Sequence, residues 1–294
     1  MQKINSTWPI IVLFLSSISW GLSWLPIQYF GSQGLQGVSM SVMAYGSAAI
    51  ILLPILLSQR QIWRDEFPSL LSIMLVGGYA NLSFVVALID GNVIRVMVLF
   101  YLLPAWGTLG GKFLLKEHVD VVRWIAVAVS LVGAFLTLGG VAALEGEISV
   151  SDILAVTSGM AFAGNNLMFR AKPHLPMPSK VLAMFMGSSL LSVLVFFVQA
   201  NPWPSPPPTL FFEVSAFGVV WLILATFASQ WGVTHLEASR SSIIIIMELV
   251  ASVVSAALLG KANLKTLEIV GGILIFTAAV VEALRETGHE HKKN

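Results

Sequence analysis

Residues 240–261 read Arg-Ser-Ser-Ile-Ile-Ile-Ile-Met-Glu-Leu-Val-Ala-Ser-Val-Val-Ser-Ala-Ala-Leu-Leu-Gly-Lys. Between Arg240 and Lys261 stand twenty residues that hold a single charge, Glu248. A helix crossing the hydrocarbon core of a bilayer takes about 20 apolar residues, and the stretch lacks the strict polar and apolar alternation of a barrel strand. It predicts a transmembrane helix with a carboxyl inside it. A second stretch has the same frame 145 residues earlier, where Arg95 and Lys116 bracket another apolar run that contains Pro104.

Working outward, the whole chain has the same character. Its 294 residues carry 16 basic and 15 acidic side chains, so 11% are charged, against about 25% in an average soluble domain. The hydrophobic fraction is 56% and the mean hydropathy +0.86. A soluble protein of this size still needs a polar surface, so a soluble reading is excluded. Runs bounded by charge, Pro and Gly predict spans at 8–29, 38–58, 69–89, 93–115, 120–140, 152–170, 179–199, 212–234, 240–260 and 265–284. The expected fold is an all-α integral membrane protein with ten transmembrane helices and no sizeable soluble domain. The apolar N-terminal stretch is too long for a signal peptide and lacks a small-residue cleavage site, so it reads as an uncleaved first span.

Lys and Arg are retained on the cytoplasmic side of short loops. With the N-terminus inside, 13 of the 16 basic residues fall inside, and Arg95, Lys261 and Lys265 fall outside. Both termini are therefore expected in the cytoplasm. Ten spans divide into two sets of five, and an odd number forces the second set to enter the membrane in the opposite sense. This predicts a first repeat at 1–145, a second, inverted repeat at 146–286 and a tail at 287–294. Inverted repeats about a midplane site are a hallmark of secondary transporters.

The chain resembles the drug/metabolite transporter superfamily, in particular its EamA-type ten-helix exporters. The resemblance rests on Trp20-Gly21 in span one, Ala87-Leu88 closing span three, Pro104 in span four, Glu117 in the loop that follows and Gly133 in span five. In the second half it rests on Ser151-Asp152 before span six, Arg170 at its close and Glu248 in span nine, where the family has a Glu-Pro pair. The chain departs from the pattern at Leu249, in place of that Pro, and at Ala262, in place of a second acidic loop residue. The resemblance implies a bacterial inner (plasma) membrane protein exporting amino acids or amino-acid-derived compounds. Drugs, nucleosides and metal-chelating metabolites are wider options. It implies no cofactor.

Charge at bilayer depth is costly, so each such group should be paired, protonated or functional. Glu248 lies about 12 Å into span nine at 1.5 Å per residue. A proton-coupling carboxyl, a counter-ion for a substrate ammonium and a hydrogen-bond donor to a broken helix remain open roles. Pro104 should kink span four, and the freed carbonyls need partners. Asn81, Asn165 and Asn166 add neutral polar groups near mid-depth and serve either a cavity or interhelical hydrogen bonds. Trp20 and Trp24 are one turn apart, and with Tyr79, Tyr101 and Trp231 they are candidates for an aromatic cage or for plain packing. Arg95 and Arg240 are candidate gate residues, with Asp90 and Glu237 as expected partners, against plain snorkelling to the interface. Gly107 and Gly111 form a GxxxG motif that predicts close packing of span four on span nine.

Other classes of function find little support. The net charge of +1 and the absence of basic runs among aromatics exclude nucleic-acid binding. With no cysteine, disulfides and thiolate chemistry are absent. No Walker-type phosphate loop, HExxH or GxSxG occurs, which disfavours direct ATP drive and an intramembrane lipid-processing enzyme. The proline-rich 201–208 connection reads as a stiff loop, and His289 and His291 as solvated tail residues rather than a metal site. A small-molecule substrate, protons and the lipid bilayer are the expected partners; the oligomeric state is not encoded legibly.

Overall fold

The computed structural model describes residues 7–35, 37–145, 147–199, 206–260 and 265–285. Among them every regular element is helical. The long helices are α1 (Thr7–Ser32), α2 (Val38–Ser58), α3 (Phe67–Leu88), α4 (Val93–Phe113), α5 (Val121–Thr137), α6 (Val150–Ala171), α7 (Met177–Val198), α8 (Pro208–His235), α9 (Ala238–Leu258) and α10 (Thr266–Leu284). Eight are long and apolar enough to cross a membrane, and α5 is a shorter apolar helix. The remaining one, α6, carries Asp152, Asn165, Asn166 and Arg170. Each stretch predicted from hydropathy falls on one of these helices. A short helix, Arg60–Asp65, joins α2 to α3, and a 3-10 turn, Gly140–Leu144, follows α5.

Local chemistry sets several boundaries. Asp120 caps α5 by accepting from the Arg123 amide at 2.9 Å. At α6, Ser149 Oγ accepts from the Asp152 amide at 3.3 Å, and the Asp152 carboxylate accepts from the Ser149 amide at 2.7 Å. Such reciprocal bonds satisfy amides that the first turn leaves without partners. Beyond Ala171, Pro173 and Pro176 prevent α6 from continuing.

In the bundle, α3 packs between α6 and α7, α2 against α7 and α8, α1 against α8 and α9, and α5 against α10. Small residues let these helices approach closely, the usual basis of association where lipid removes the hydrophobic drive. Gly187 of α7, for example, lies against the Met74 backbone carbonyl of α3, leaving no room for a Cβ.

Four helices are interrupted by a turn, α1 at Ser23, α2 at Leu53, α4 at Tyr101–Leu102 and α9 at Ile246, and α8 carries a π-helical stretch, Phe217–Leu222; those of α4 and α9 bear on the site. In α4, Val93–Phe100 (α4a) gives way to Leu103–Phe113 (α4b). In α9, Ala238–Ile245 (α9a) gives way to Met247–Leu258 (α9b). The sequence predicts a kink at Pro104, but the break lies upstream, at Tyr101–Leu102. Proline has no amide hydrogen and its ring crowds the carbonyl four residues earlier, here Phe100. Helical bonding therefore stops near Phe100, and Pro104 occupies the first turn of α4b, where a missing donor costs little. The halves also pack unequally. α4b crosses α9a, where a Cβ on Gly107 would stand 2.7 Å from Ser242 Cβ and one on Gly111 would stand 3.1 Å from Ala238 Cβ. By contrast, α4a leans on α6, and α9b on α1 and α10, with no comparable contact between α4a and α9b.

Candidate functional site

The interruptions place Tyr101 and Glu248 at the two breaks, with the Tyr101 hydroxyl within hydrogen-bonding reach of the Glu248 carboxyl. Met247 and Leu249 on either side are buried, whereas Glu248 is only partly so. Glu248 is thus the least enclosed of the three at the point where the helix is broken. Neighbouring backbones come close to both breaks. Gly21 of α1 lies against the Glu248 carbonyl and Ala251, and Gly159 of α6 lies against the Phe100 carbonyl. A side chain at either glycine would push the broken helix away.

Aromatic rings wall the same region. Phe100 stacks with Phe84 at 4.5 Å between centroids, with Tyr101 at 5.5 Å and with Phe162 at 5.9 Å. Trp20 is partly buried beside Gly21, and Trp24 Nε1 donates to Ser255 Oγ of α9b at 3.0 Å. A carboxyl, a phenol and ring faces in one place can bind a cation or a hydrogen-bond donor together with an apolar body.

The other candidates lie elsewhere. Asn81 Nδ2 donates to Ser188 Oγ at 2.7 Å and joins α3 to α7. Asn165 faces Met184 Sδ at 3.5 Å, and Asn166 accepts from Gln230 Nε2 at 3.0 Å, joining α6 to α8. Tyr79 hydrogen bonds with Thr157 at 2.9 Å on a more exposed flank. Trp231 stacks on His235 at 4.6 Å near the end of α8. Apart from the Trp231–His235 pair, which lies within α8, these contacts are interhelical fastenings, and none of them is made to Glu248.

The partner expected for Arg240 is corrected, whereas that expected for Arg95, the Asp90 side chain, lies outside the described residues. Arg95 pairs with Asp152 at 3.0 Å and donates to the Glu145 and Glu147 carbonyls. Arg240 donates to the carbonyls of Glu282, Ala283 and Arg285 at the end of α10. Glu237 is taken instead by Arg123, at 2.6 Å. Both arginines satisfy backbone carbonyls distant in sequence, which a chain of charges cannot reveal. The Asp90 side chain, Lys261, Ala262, His289, His291 and positions 201–205 lie outside the described residues.

The end of the bundle that gathers most of the basic residues is tied by a polar network. Arg123 also pairs with Glu282 at 3.3 Å, and Arg285 with Asp120. Burial works against Asp120, but the Arg123 amide and the Arg285 guanidinium hold its carboxyl below the usual range. Glu66 bonds Lys172 at 3.3 Å and His174 at 3.2 Å. Hydrogen bonds from Ser69, His174 and Lys172 pull it down to about 2. Glu117 accepts from the Ala238 amide at 2.8 Å and pairs with Arg170 at 3.4 Å, while Arg170 donates to the Thr234 carbonyl at 3.0 Å. Burial outweighs the Ala238 and Arg170 contacts and leaves Glu117 above its ordinary value.

Two residues of this region were not singled out from the sequence as interior groups. Lys180 counts there only towards topology, yet it is fully buried in the first turn of α7. Gln230, a buried amide in an otherwise apolar stretch, was legible by the same test that found the asparagines.

The helices, their apolar lengths and the paired interruptions define a multi-pass helical membrane protein. The chain matches the EamA-like transporter family over residues 7–139, a little under half of its length. It is similar to an uncharacterized transporter of Synechocystis, with 25% identity over 211 residues, which cover 70% of this chain and 61% of that protein. The chain thus spans less than two thirds of that relative. A solved crystal structure superposes with a TM-score of 0.77 at 16% identity, covering 93% of this chain and 95% of the other, a likeness of fold.

Proposed function

We propose that the protein is a secondary transporter of the inner membrane that exports small metabolites, amino acids or compounds derived from them, by alternating access. The reading treats all ten helices as spans, the basic end as cytoplasmic and residues 1–145 and 146–286 as inverted repeats. The interruptions support the repeat: α4a begins at Val93 and α9a at Ala238, 145 residues apart, and α4b and α9b end at Phe113 and Leu258 with the same offset. Arg95 and Arg240, also 145 residues apart, both donate to backbone carbonyls, Arg95 in the segment after α5 and Arg240 at the last turn of α10. The halves meet where α4b crosses α9a and diverge between α4a and α9b, which supports a cavity open away from the cytoplasm.

One observation carries the functional reading: Glu248, less enclosed than Met247 and Leu249 on either side, stands at the break of α9 beside Tyr101 and the ring wall. A substrate ammonium would pair with the carboxylate and pack its apolar part on the rings. The same carboxyl would exchange a proton when the amine is absent, giving antiport. Thermal-shift screening of purified protein against amino acids and their conjugates tests this. A stabilising ligand for the wild type should lose its shift in Glu248→Gln and keep part of it in Tyr101→Phe. An undiminished shift in Glu248→Gln would remove the carboxyl from the site. Transport by that variant with an unchanged pH dependence would remove the coupling role.

A further inference from the structure

We propose that Glu117 is the latch that holds the cytoplasmic end closed, and that the protein rests open to the opposite side because, among the described residues, no such latch ties α4a to α9b. The proposal rests on the alternating-access reading and adds a residue to it. The loop after α4b is built to deliver the carboxylate. Lys116 adopts a left-handed backbone, φ 57°, which a side chain enters at a cost. The Glu117 amide thereby returns to the Gly111 carbonyl at 2.9 Å, the tight closure that ends many helices. The carboxyl then lies over Gly111, where a Cβ would stand 2.7 Å from Glu117 Oε2.

From there Glu117 reaches across to the other half of the molecule. Its Oε2 accepts from the Ala238 amide, the first of α9a, at 2.8 Å. A carboxylate at a helix N-terminus satisfies a free amide and meets the positive end of the helix dipole. The opposite oxygen pairs with Arg170 at the end of α6, which binds the Thr234 carbonyl near the end of α8. One carboxyl therefore fastens α4 to α9 across the seam of Gly107, Gly111, Ala238 and Ser242, and ties both to α6 and α8. Opening this end requires α4b to part from α9a, and the Glu117–Ala238 bond must break first.

Among the described residues the opposite end is fastened differently. There α4a is capped from within its own segment, with Asn92 Oδ1 accepting from the Arg95 amide at 3.1 Å. The position 145 residues after Glu117 is Ala262, outside the described residues and without a carboxyl. Arg95 and Asp152 do pair at that end, but they join α4a to α6 and leave α9b out.

The absence of native cysteine makes the test clean. Single cysteines are placed at Ser242, in the α4b–α9a seam, and at Met97 on α4a, and each is labelled with a membrane-impermeant maleimide from its own side of oriented vesicles, without substrate. Loss of one helix cap should raise labelling of Ser242→Cys about tenfold in the Glu117→Ala background and lower that of Met97→Cys. Glu117→Gln, which keeps an acceptor for Ala238 but not the charge, should fall between and covers the case in which the alanine variant does not fold. A purely structural cap would loosen the seam without changing Met97→Cys. Unchanged labelling at both positions, or a change confined to Ser242→Cys, overturns the latch. Failure of solute flux with the reciprocal labelling intact would overturn the transport reading instead.

Discussion

Lys180 is fully buried, and its ammonium donates to the Phe169 carbonyl at 2.9 Å, the Lys172 carbonyl at 3.2 Å and Thr234 Oγ1 at 3.4 Å, with the Phe169 ring 4.9 Å away. The carbonyls at the end of α6 have no helical partners, and a cation there is favoured by the helix dipole. Lys180→Met should therefore cost about 2 kcal/mol and lower the melting temperature by roughly 5 °C. Tryptophan fluorescence melts in detergent would read this, and a melt identical to wild type would refute the assignment. The Asn166–Gln230 bond is a weaker fastening. Interhelical hydrogen bonds in membranes average about 0.6 kcal/mol, so a Gln230→Leu melt should fall by much less than that of Lys180→Met.

At the scale of elements, the interruptions of α4 and α9 arise from different sequences. Pro104 explains the first. No proline stands in α9, whose break at Ile246 comes two residues before Glu248. The seam between α4b and α9a depends on the absence of side chains. Gly107→Val would drive a branched side chain into Ser242 and should cost about 1–3 kcal/mol through overpacking, with Gly107→Ala at the lower end. Thermal melts of the two variants would show the order, and a neutral Gly107→Val would mean that α4b and α9a are not in close contact.

For the molecule as a whole, Glu66 gives a pH test. It ties the start of α3 to Lys172 and His174 between α6 and α7. Its carboxyl is held at about 2, below the ordinary 4.5. The stabilisation is complete above the ordinary value and is lost as pH falls through about 2. Glu66→Gln should therefore flatten the acid side of the melting profile in that window; an unchanged acid slope would discount the pair.

Helix positions were legible because hydrophobic runs and charge boundaries are local. The position of Glu248 within its span was legible too, since a carboxyl stands out among nineteen uncharged neighbours. Which side chains converge was not. Asn81, Asn165 and Asn166 share depth and chemistry with Glu248 but face other helices, and one sequence does not record the rotation of each helix about its axis. Arg240 has Glu237 three residues away yet binds the carbonyls at the end of α10. Distant backbone groups of that kind leave no mark in a charge pattern. Glu117 stood out through the family resemblance, but its reach to Ala238 required the fold.

The central claim is that Glu248, at the break of α9, carries substrate. Counterflow of labelled amino acids in proteoliposomes tests it most directly. The wild type should exchange, and a folded Glu248→Gln variant should lose about tenfold or more, as for removal of a charged binding group. Exchange at the wild-type rate by Glu248→Gln would contradict it.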